Sequence, residues 1–361
     1  MRVSRISAVI ATASAGATVL VAGVVSPASA DPTPANPFPA YAGTGSDTTQ
    51  DVLNDLANSG TLVGVGSWNA FGSATIQVKS GGPFFTRPAG SGNGIMALSA
   101  SIQGLAYGGA TATAFAGQLD FARSSRGPKV AGSALTFVPL ARDAVSYVTN
   151  STALASLTTA QLAQVYLANT AADLVVTVAG TPITVQPILP PVGSGTRDFF
   201  LKAIGVPAAS VGSLVTQGAA ENDGTALTAA NSVAPFSAAA WVAQKNARST
   251  NTTGTLSLGA IGGIAPATLA GTWTPNPAYY ASTTFGRDVY NVIATSRLVA
   301  NAAADQAFIT DFAGPSAMVR SAAAQSAITA SGFQVVPYAG DTDLVGTDVT
   351  GYTKALGGAF E

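Results

Sequence analysis

The chain of 361 residues contains no cysteine and no histidine. Without cysteine there is no disulfide framework, no thiolate nucleophile and no residue to carry a lipid behind a leader. Without histidine, a Ser-His-Asp triad, a histidine general base and the usual catalytic zinc spheres are closed, and with them most extracellular hydrolytic mechanisms. Charge is scarce as well. Asp, Glu, Lys and Arg make up 9% of the chain, so the place of each arginine carries more information than usual. Setting aside Arg2 and Arg5 leaves 14 basic residues against 17 acidic ones, a net charge of −3, which provides no general basic surface for nucleic acid or anionic lipid. No repeat of fixed period is found.

The N-terminus reads as a secretory leader. Arg2 and Arg5 precede an apolar run from Ala8 to Val25 that ends in Ala28-Ser29-Ala30, a small-x-small site with cleavage expected after Ala30. An uncleaved anchor is the alternative, since the run approaches the length of about 20 residues that spans a bilayer. Residues 31–40 hold four prolines and read as an extended lead-in. The rest, roughly 330 residues, is too much for one small core and suits two lobes. The mature chain is expected outside the membrane, monomeric, and without cofactor or metal.

Three glycine turns then stand out: Gly43-Thr44-Gly45-Ser46-Asp47, Gly90-Ser91-Gly92-Asn93-Gly94 and Gly193-Ser194-Gly195-Thr196-Arg197. Each precedes a helix-like pattern, so each offers backbone N–H groups and hydroxyl donors to an anion. After the first, Val52, Leu53 and Leu56 share a helical face that Asp47 or Thr48 can cap. After the second, Ile95, Leu98 and Ile102 predict a helix ending at Gly104. Residues 118–123 predict a strand delivering Ser124 and Ser125 to a loop, and 135–140 and 144–148 predict two buried strands. Thr158 to Gln161 has the spacing of a capping box. Ser237 precedes an alanine-rich helix containing Trp241, 251–277 reads as hairpins or loop, 289–294 as a strand, and 302–333 as helical segments broken at Gly314-Pro315. Trp68, Trp241 and Trp273 are taken as core.

Arg87, Arg123, Arg126 and Arg197 lie within a few residues of these turns, which favours an anion site over scattered solubilising charge. No lysine follows the glycines, so a nucleotide P-loop is not supported. Arg126 and Lys129 flank Pro128 and read as solvated, Asp120 as a loop anchor, and Asp223 as an Asx turn.

From about Tyr41 to Ser296 the chain resembles the phosphate-binding proteins of ABC transporters, within the two-lobed periplasmic solute-binding superfamily. The resemblance is carried, in order, by Gly43 to Asp47, Gly90-Ser91-Gly92, Leu119-Asp120-Phe121-Ala122-Arg123-Ser124-Ser125, Leu157 to Leu167, and Gly193 to Thr196. It implies an α/β fold of two lobes, each a mixed sheet flanked by helices, with the anion clamped in the interlobe cleft. The lobes would comprise 41–140 with 285–361, and 141–284, with crossings near 136–143 and 280–290. By position Ser91, Ser194, Gly195 and Thr196 match ligand-contacting residues, and Thr44, Gly45, Ser46, Asp47, Arg123, Ser124, Ser125 and Arg197 complete the candidate set. Two departures matter. Ser125 stands where the family has the aspartate that accepts the proton of hydrogen phosphate, and Pro190 stands where it has an arginine. Asp47, Arg123 and Arg197 are the candidates to take over those roles.

The function these readings support is capture of a tetrahedral oxyanion, phosphate first, for an ABC permease, with no bond made or broken. The alternatives are a different oxyanion or a small phosphorylated or carboxylated solute, and a wall-associated or adhesive protein of the same fold. A hydrolase using serine or lysine is the least supported class.

Overall fold

The computed structural model describes residues 31–32, 37–130, 132–300, 302–342 and 360. The leader expected over 1–30 lies outside them, as does the stretch 343–359. Nine strands form the main sheet among the described residues: β1 (Tyr41–Gly45), β2 (Val65–Ser67), β3 (Phe121–Ser124), β4 (Leu135–Thr149), β5 (Gln186–Leu189), β6 (Thr216–Gln217), β7 (Ser232–Ser237), β8 (Ser257–Leu258) and β9 (Gly286–Ala294). Their order is β6-β5-β7-β4-β9-β3-β1-β2, with β8 also on β4. Strands on either flank run parallel, β1 with β2 and β3, β5 with β6 and β7. The middle is antiparallel: β9 opposes both β3 and β4, and β7 opposes β4.

Strand β4 holds the two flanks together. All fifteen of its residues are buried, and a strand covered on both faces reads as a near-continuous apolar run. Alternate side chains serve different cores. Phe137 packs with Ile95 and Leu98, whereas Val138 packs with Leu53 and Phe312. Farther along, Tyr147 joins Leu162, Tyr166 and Phe200, and Val148 joins Phe236 and Trp241.

The sequence suggested two strands here because Arg142-Asp143 interrupts the apolar run. The interruption is filled by charge instead. On β9 the antiparallel register places Arg287 opposite Asp143 and Asp288 opposite Arg142. Both crosswise pairs form ion pairs at 2.8 Å, Arg287 with Asp143 and Arg142 with Asp288. Because neighbours along a strand face opposite sides, one pair lies on each face of the sheet.

Five helices matter for the site or its support: α1 (Gln50–Asn58), α2 (Gly90–Gln103), α3 (Thr159–Tyr166), α4 (Gly195–Ala203) and α5 (Ala238–Lys245). The capping box of α3 is formed by Thr158 and Gln161. Helix α2 ends at Gly104 with φ 63°, the left-handed cap that glycine adopts without strain. One expectation fails: neither Asp47 nor Thr48 caps α1, whose N-cap is Thr49 with no side-chain bond. The side chains of Asp47 and Thr48 are engaged across the sheet, as described below. The segment 267–275 is a hairpin, and 303–330 holds short helical pieces interrupted at Gly314. Trp68 and Trp241 are core, while Trp273 is half-buried and meets Trp241 edge-on at 4.7 Å.

Candidate functional site

The three glycine turns meet. Each follows or faces the carboxyl end of a parallel strand, β1, β3 or β5, the end at which open α/β sheets bind ligands. The turn at Gly90 touches both of the others. A Cβ on Gly94 would lie 2.4 Å from Gly45 Cα, and one on Gly90 would lie 3.0 Å from the Gly193 carbonyl oxygen. The Gly92 N–H donates to that same carbonyl at 3.1 Å. A Cβ on Gly195 would lie 2.4 Å from Ser125 Oγ and 2.5 Å from Ser91 Oγ, so only glycine lets α4 start against these two hydroxyls. Ser125 N–H donates to Ser91 Oγ at 3.0 Å, and the two hydroxyls are 3.1 Å apart. Ser194 caps α4 by accepting from Arg197 N–H at 3.0 Å.

Beside this cradle a buried polar network joins β9, the β1 turn, α4 and the loop after β6. Arg287 is fully buried; its Nε and Nη2 donate to Asp143 at 3.0 and 2.8 Å, and Nη2 also reaches Thr196 Oγ1 at 2.9 Å and Thr48 Oγ1 at 3.3 Å. Both hydroxyls donate to Glu221 Oε1, Thr196 at 2.6 Å and Thr48 at 3.1 Å. Asn222 Nδ2 donates to Asp47 Oδ2 at 2.9 Å, and its side-chain Oδ1 accepts from Ser237 N–H. Asp143 Oδ1 accepts from Ser237 Oγ and Ala239 N–H.

Several buried atoms here have no partner among the described residues: Arg287 Nη1, Thr44 Oγ1, Ser46 Oγ, Thr49 Oγ1 and Glu221 Oε2. Leaving a buried polar group unpaired costs about 1–3 kcal/mol, and more when it is charged. Four donors and one acceptor, all on the converging segments, therefore mark a place that gains by receiving a polar guest.

The arginines expected to face the anion have their donors engaged by other partners. Arg87 fastens the lead-in through Asp31 and binds Ser73 and the Asn69 carbonyl. Arg123 is fully buried, but its donors go to the carbonyls of Ser46 and Gly45 and to Ser67 Oγ. Burial lowers its pKa to about 10 in spite of Asp47 and Asp51 nearby. Arg197 turns back to the Pro190 carbonyl at 2.8 Å and to Gln217. Ser124 closes its own loop by donating to the Arg126 carbonyl. Thr44, Gly45, Ser46, Asp47, Ser91, Ser125, Ser194, Gly195 and Thr196 are brought together. Asp223 accepts from Thr225 N–H as an Asx turn, and Asp120 accepts from Ala42 N–H and pairs with Lys79 and Arg297.

Sequence reasoning missed Arg287, Asp143, Thr48, Glu221 and Asn222. One signal was available for the first two: an Arg-Asp dipeptide sits inside each of the two longest buried strands, and an antiparallel pairing matches them.

Two clefts flank the network with opposite charge. One, of about 330 Å³, is lined by Asp47, Asp51, Glu221 and Asp223 with no lysine or arginine. Burial, and then the charge of Glu221, raise the Asp47 carboxyl well above the usual carboxylate range against the opposing bond from Asn222. Burial raises Asp51 to about 6. The other cleft, of about 870 Å³, is lined by Arg126, Lys129 and Lys202 beside Asp198. Its wall includes Phe199, over whose ring Arg287 lies at 5.6 Å. Lys129 pairs with Asp198 at 2.7 Å across it, so Lys129 is engaged rather than simply solvated.

Two solved structures share this fold. A protein from Clostridium perfringens, described as a phosphate ABC transporter substrate-binding protein with bound phosphate, superposes with a TM-score of 0.53 and 16% identity over 82% of this chain and 99% of that one. An ABC-type phosphate transport receptor from Vibrio cholerae gives 0.51 and 16% over 82% and 100%. No family model and no curated protein matches the sequence. The fold is thus that of periplasmic phosphate-binding proteins, as the resemblance in the turns implied. Among the described residues no helix is long and apolar enough to cross a membrane.

Proposed function

We propose that the chain is an exported solute-binding protein that captures a tetrahedral oxyanion, inorganic phosphate first, and presents it to an ABC-type permease. The anion is held between two lobes, 41–140 with 285 onward and 141–284, linked by β4 and β9. Its donors are Ser46, Ser91, Ser125, the N-terminus of α4 at Gly195 and Thr196, and Arg287 Nη1. The observation that carries this reading is Arg287: a fully buried guanidinium with one nitrogen unpartnered among the described residues, held against Thr48 and Thr196 beside the first and third glycine turns. Asp143 offsets one charge, and its Oδ2 accepts from both Nε and Nη2, which fixes the guanidinium plane. Arg287 thereby supplies the guanidinium for which Pro190 leaves no side chain in the turn itself.

The same geometry gives the ligand a part in closure. Thr48 comes from the β1 turn and Thr196 from α4, on opposite flanks of the sheet, and both hydroxyls face Arg287. An anion that accepts from Ser46 on the β1 turn and from the N-terminus of α4 adds a further tie between the flanks, a contact that favours the closed state. Calorimetric titration of unfolded and refolded, ligand-free protein with phosphate and with sulfate tests the proposal. Phosphate binding at micromolar or tighter is expected, and flat titrations with both anions would refute it.

A further inference from the structure

The acidic cleft beside the cradle does not suit a bare anion. Four of the chain's 17 acidic residues line it in a protein where only 9% of residues are charged, and among the described residues no lysine or arginine lines it. A dianion seated on Arg287 therefore gains nothing from this side and is repelled by it.

One atom in the cleft asks for a donor. Glu221 is 3% exposed, and while its Oε1 takes the Thr48 and Thr196 hydroxyls, its Oε2 has no partner among the described residues. Thr196 Oγ1 lies 2.9 Å from Arg287 Nη2 and 2.6 Å from Glu221 Oε1, so a single hydroxyl separates the cation of the cradle from the carboxylate of the cleft. The two sites are thus adjacent and of opposite sign. Among the described residues no three carboxylates are grouped to hold a metal ion, and a spread of acids suits an organic ammonium better than a point cation.

We infer that the cleft recognises an ammonium group, and that the preferred ligand is a short amino-phosphate, a phosphomonoester or phosphonate with a primary amine a few bonds from phosphorus. The inference rests on the reading of the cradle as a phosphate site. The phosphoryl group sits on Arg287 and the serine hydroxyls, and the ammonium donates to Glu221 Oε2 with Asp51 and Asp223 near it. Burial is the main cause that raises the Asp47 and Asp51 carboxyls, the charges of Glu221 and Asp55 add to it against the pull of Arg123, and a bound ammonium favours their charged forms.

Titration of refolded protein with inorganic phosphate, phosphoethanolamine and N-acetyl-phosphoethanolamine provides the test. Phosphoethanolamine is expected to bind at least about tenfold more tightly than either of the others. In the double variant Asp51→Asn/Asp223→Asn that gap is expected to close to within about twofold, while phosphate affinity falls no further than about twofold. Asparagine keeps the Asx-turn acceptor at 223, and a melting curve establishes that the variant is folded. Phosphate bound as tightly as phosphoethanolamine, or a preference that survives the double variant, overturns the inference and leaves the proposed function standing. No binding of any of the three overturns both.

Discussion

Replacing Arg287 by methionine separates its structural role from its binding role. In the variant, Asp143 loses the two bonds it accepts at 3.0 and 2.8 Å and keeps only Ser237 Oγ and Ala239 N–H on its other oxygen. A buried carboxylate stripped of its cation costs about 3–5 kcal/mol. At roughly 2–4 °C per kcal/mol for a domain of moderate size, the melting temperature should fall by on the order of 10 °C. The charge, not the shape, is responsible, so Arg287→Met/Asp143→Asn should recover most of that loss: the amide oxygen still accepts from Ser237 and Ala239, and position 143 no longer buries a charge. Phosphate binding should be lost in both variants, by at least about a hundredfold, since the guanidinium is gone. Thermal denaturation with calorimetric titration of wild type, single and double variants measures both quantities. A double variant as unstable as the single one would refute the ion-pair argument. One that binds phosphate like wild type would remove Arg287 from the site.

Other consequences follow from the same geometry. Gly195→Ala places a methyl group against Ser91 and Ser125 Oγ, so phosphate affinity should drop by at least tenfold and stability by about 1–3 kcal/mol, read by titration and melting. Thr158→Ala breaks the α3 capping box far from the cradle and should cost about 1 kcal/mol in denaturant melts with binding unchanged. Asp51 is raised to about 6, so the folded chain holds its proton more tightly than the unfolded one. Its contribution is complete below about pH 4 and is lost as pH rises through about 6, on the order of 1–3 kcal/mol, and Asp51→Asn should flatten the melting temperature across that window. Burial holds the Asp47 carboxyl well above the usual carboxylate range and Asn222 already donates to it, so Asp47→Asn should leave the phosphate-over-sulfate ratio within about twofold in paired titrations.

Much of the scaffold was legible because it rests on local chemistry. Glycine turns, the Thr158 capping box and the Gly104 cap are fixed by residue type at short spacing, and they appear where the sequence placed them. The convergence of the turns was implied by the family resemblance. What the sequence concealed was long-range pairing. Arg142-Asp143 looked like a break in an apolar run, because nothing local reveals that Arg287-Asp288 lies opposite, 144 residues away for Arg287 and Asp143. The arginines nearest the turns misled for the same reason. Proximity in sequence to a carbonyl-rich turn makes Arg123 and Arg197 good fasteners of loop carbonyls, which uses up the donors an anion would need. Glu221 and Asn222 lay in a cluster that reads as a turn, and only the packing of that loop against Thr48 and Thr196 brings them to the network.

The most direct measurement is a crystal structure of refolded protein grown with arsenate, recorded at an energy where arsenic scatters anomalously. Arsenate has the shape and proton count of phosphate, and its position is read without interpretation of the surrounding density. The account requires a single strong peak within hydrogen-bonding distance of Arg287 Nη1 and the hydroxyls of Ser91 and Ser125. A peak against Arg123, Arg197 or the basic cleft at Lys129 and Lys202, or no ordered peak, would contradict it.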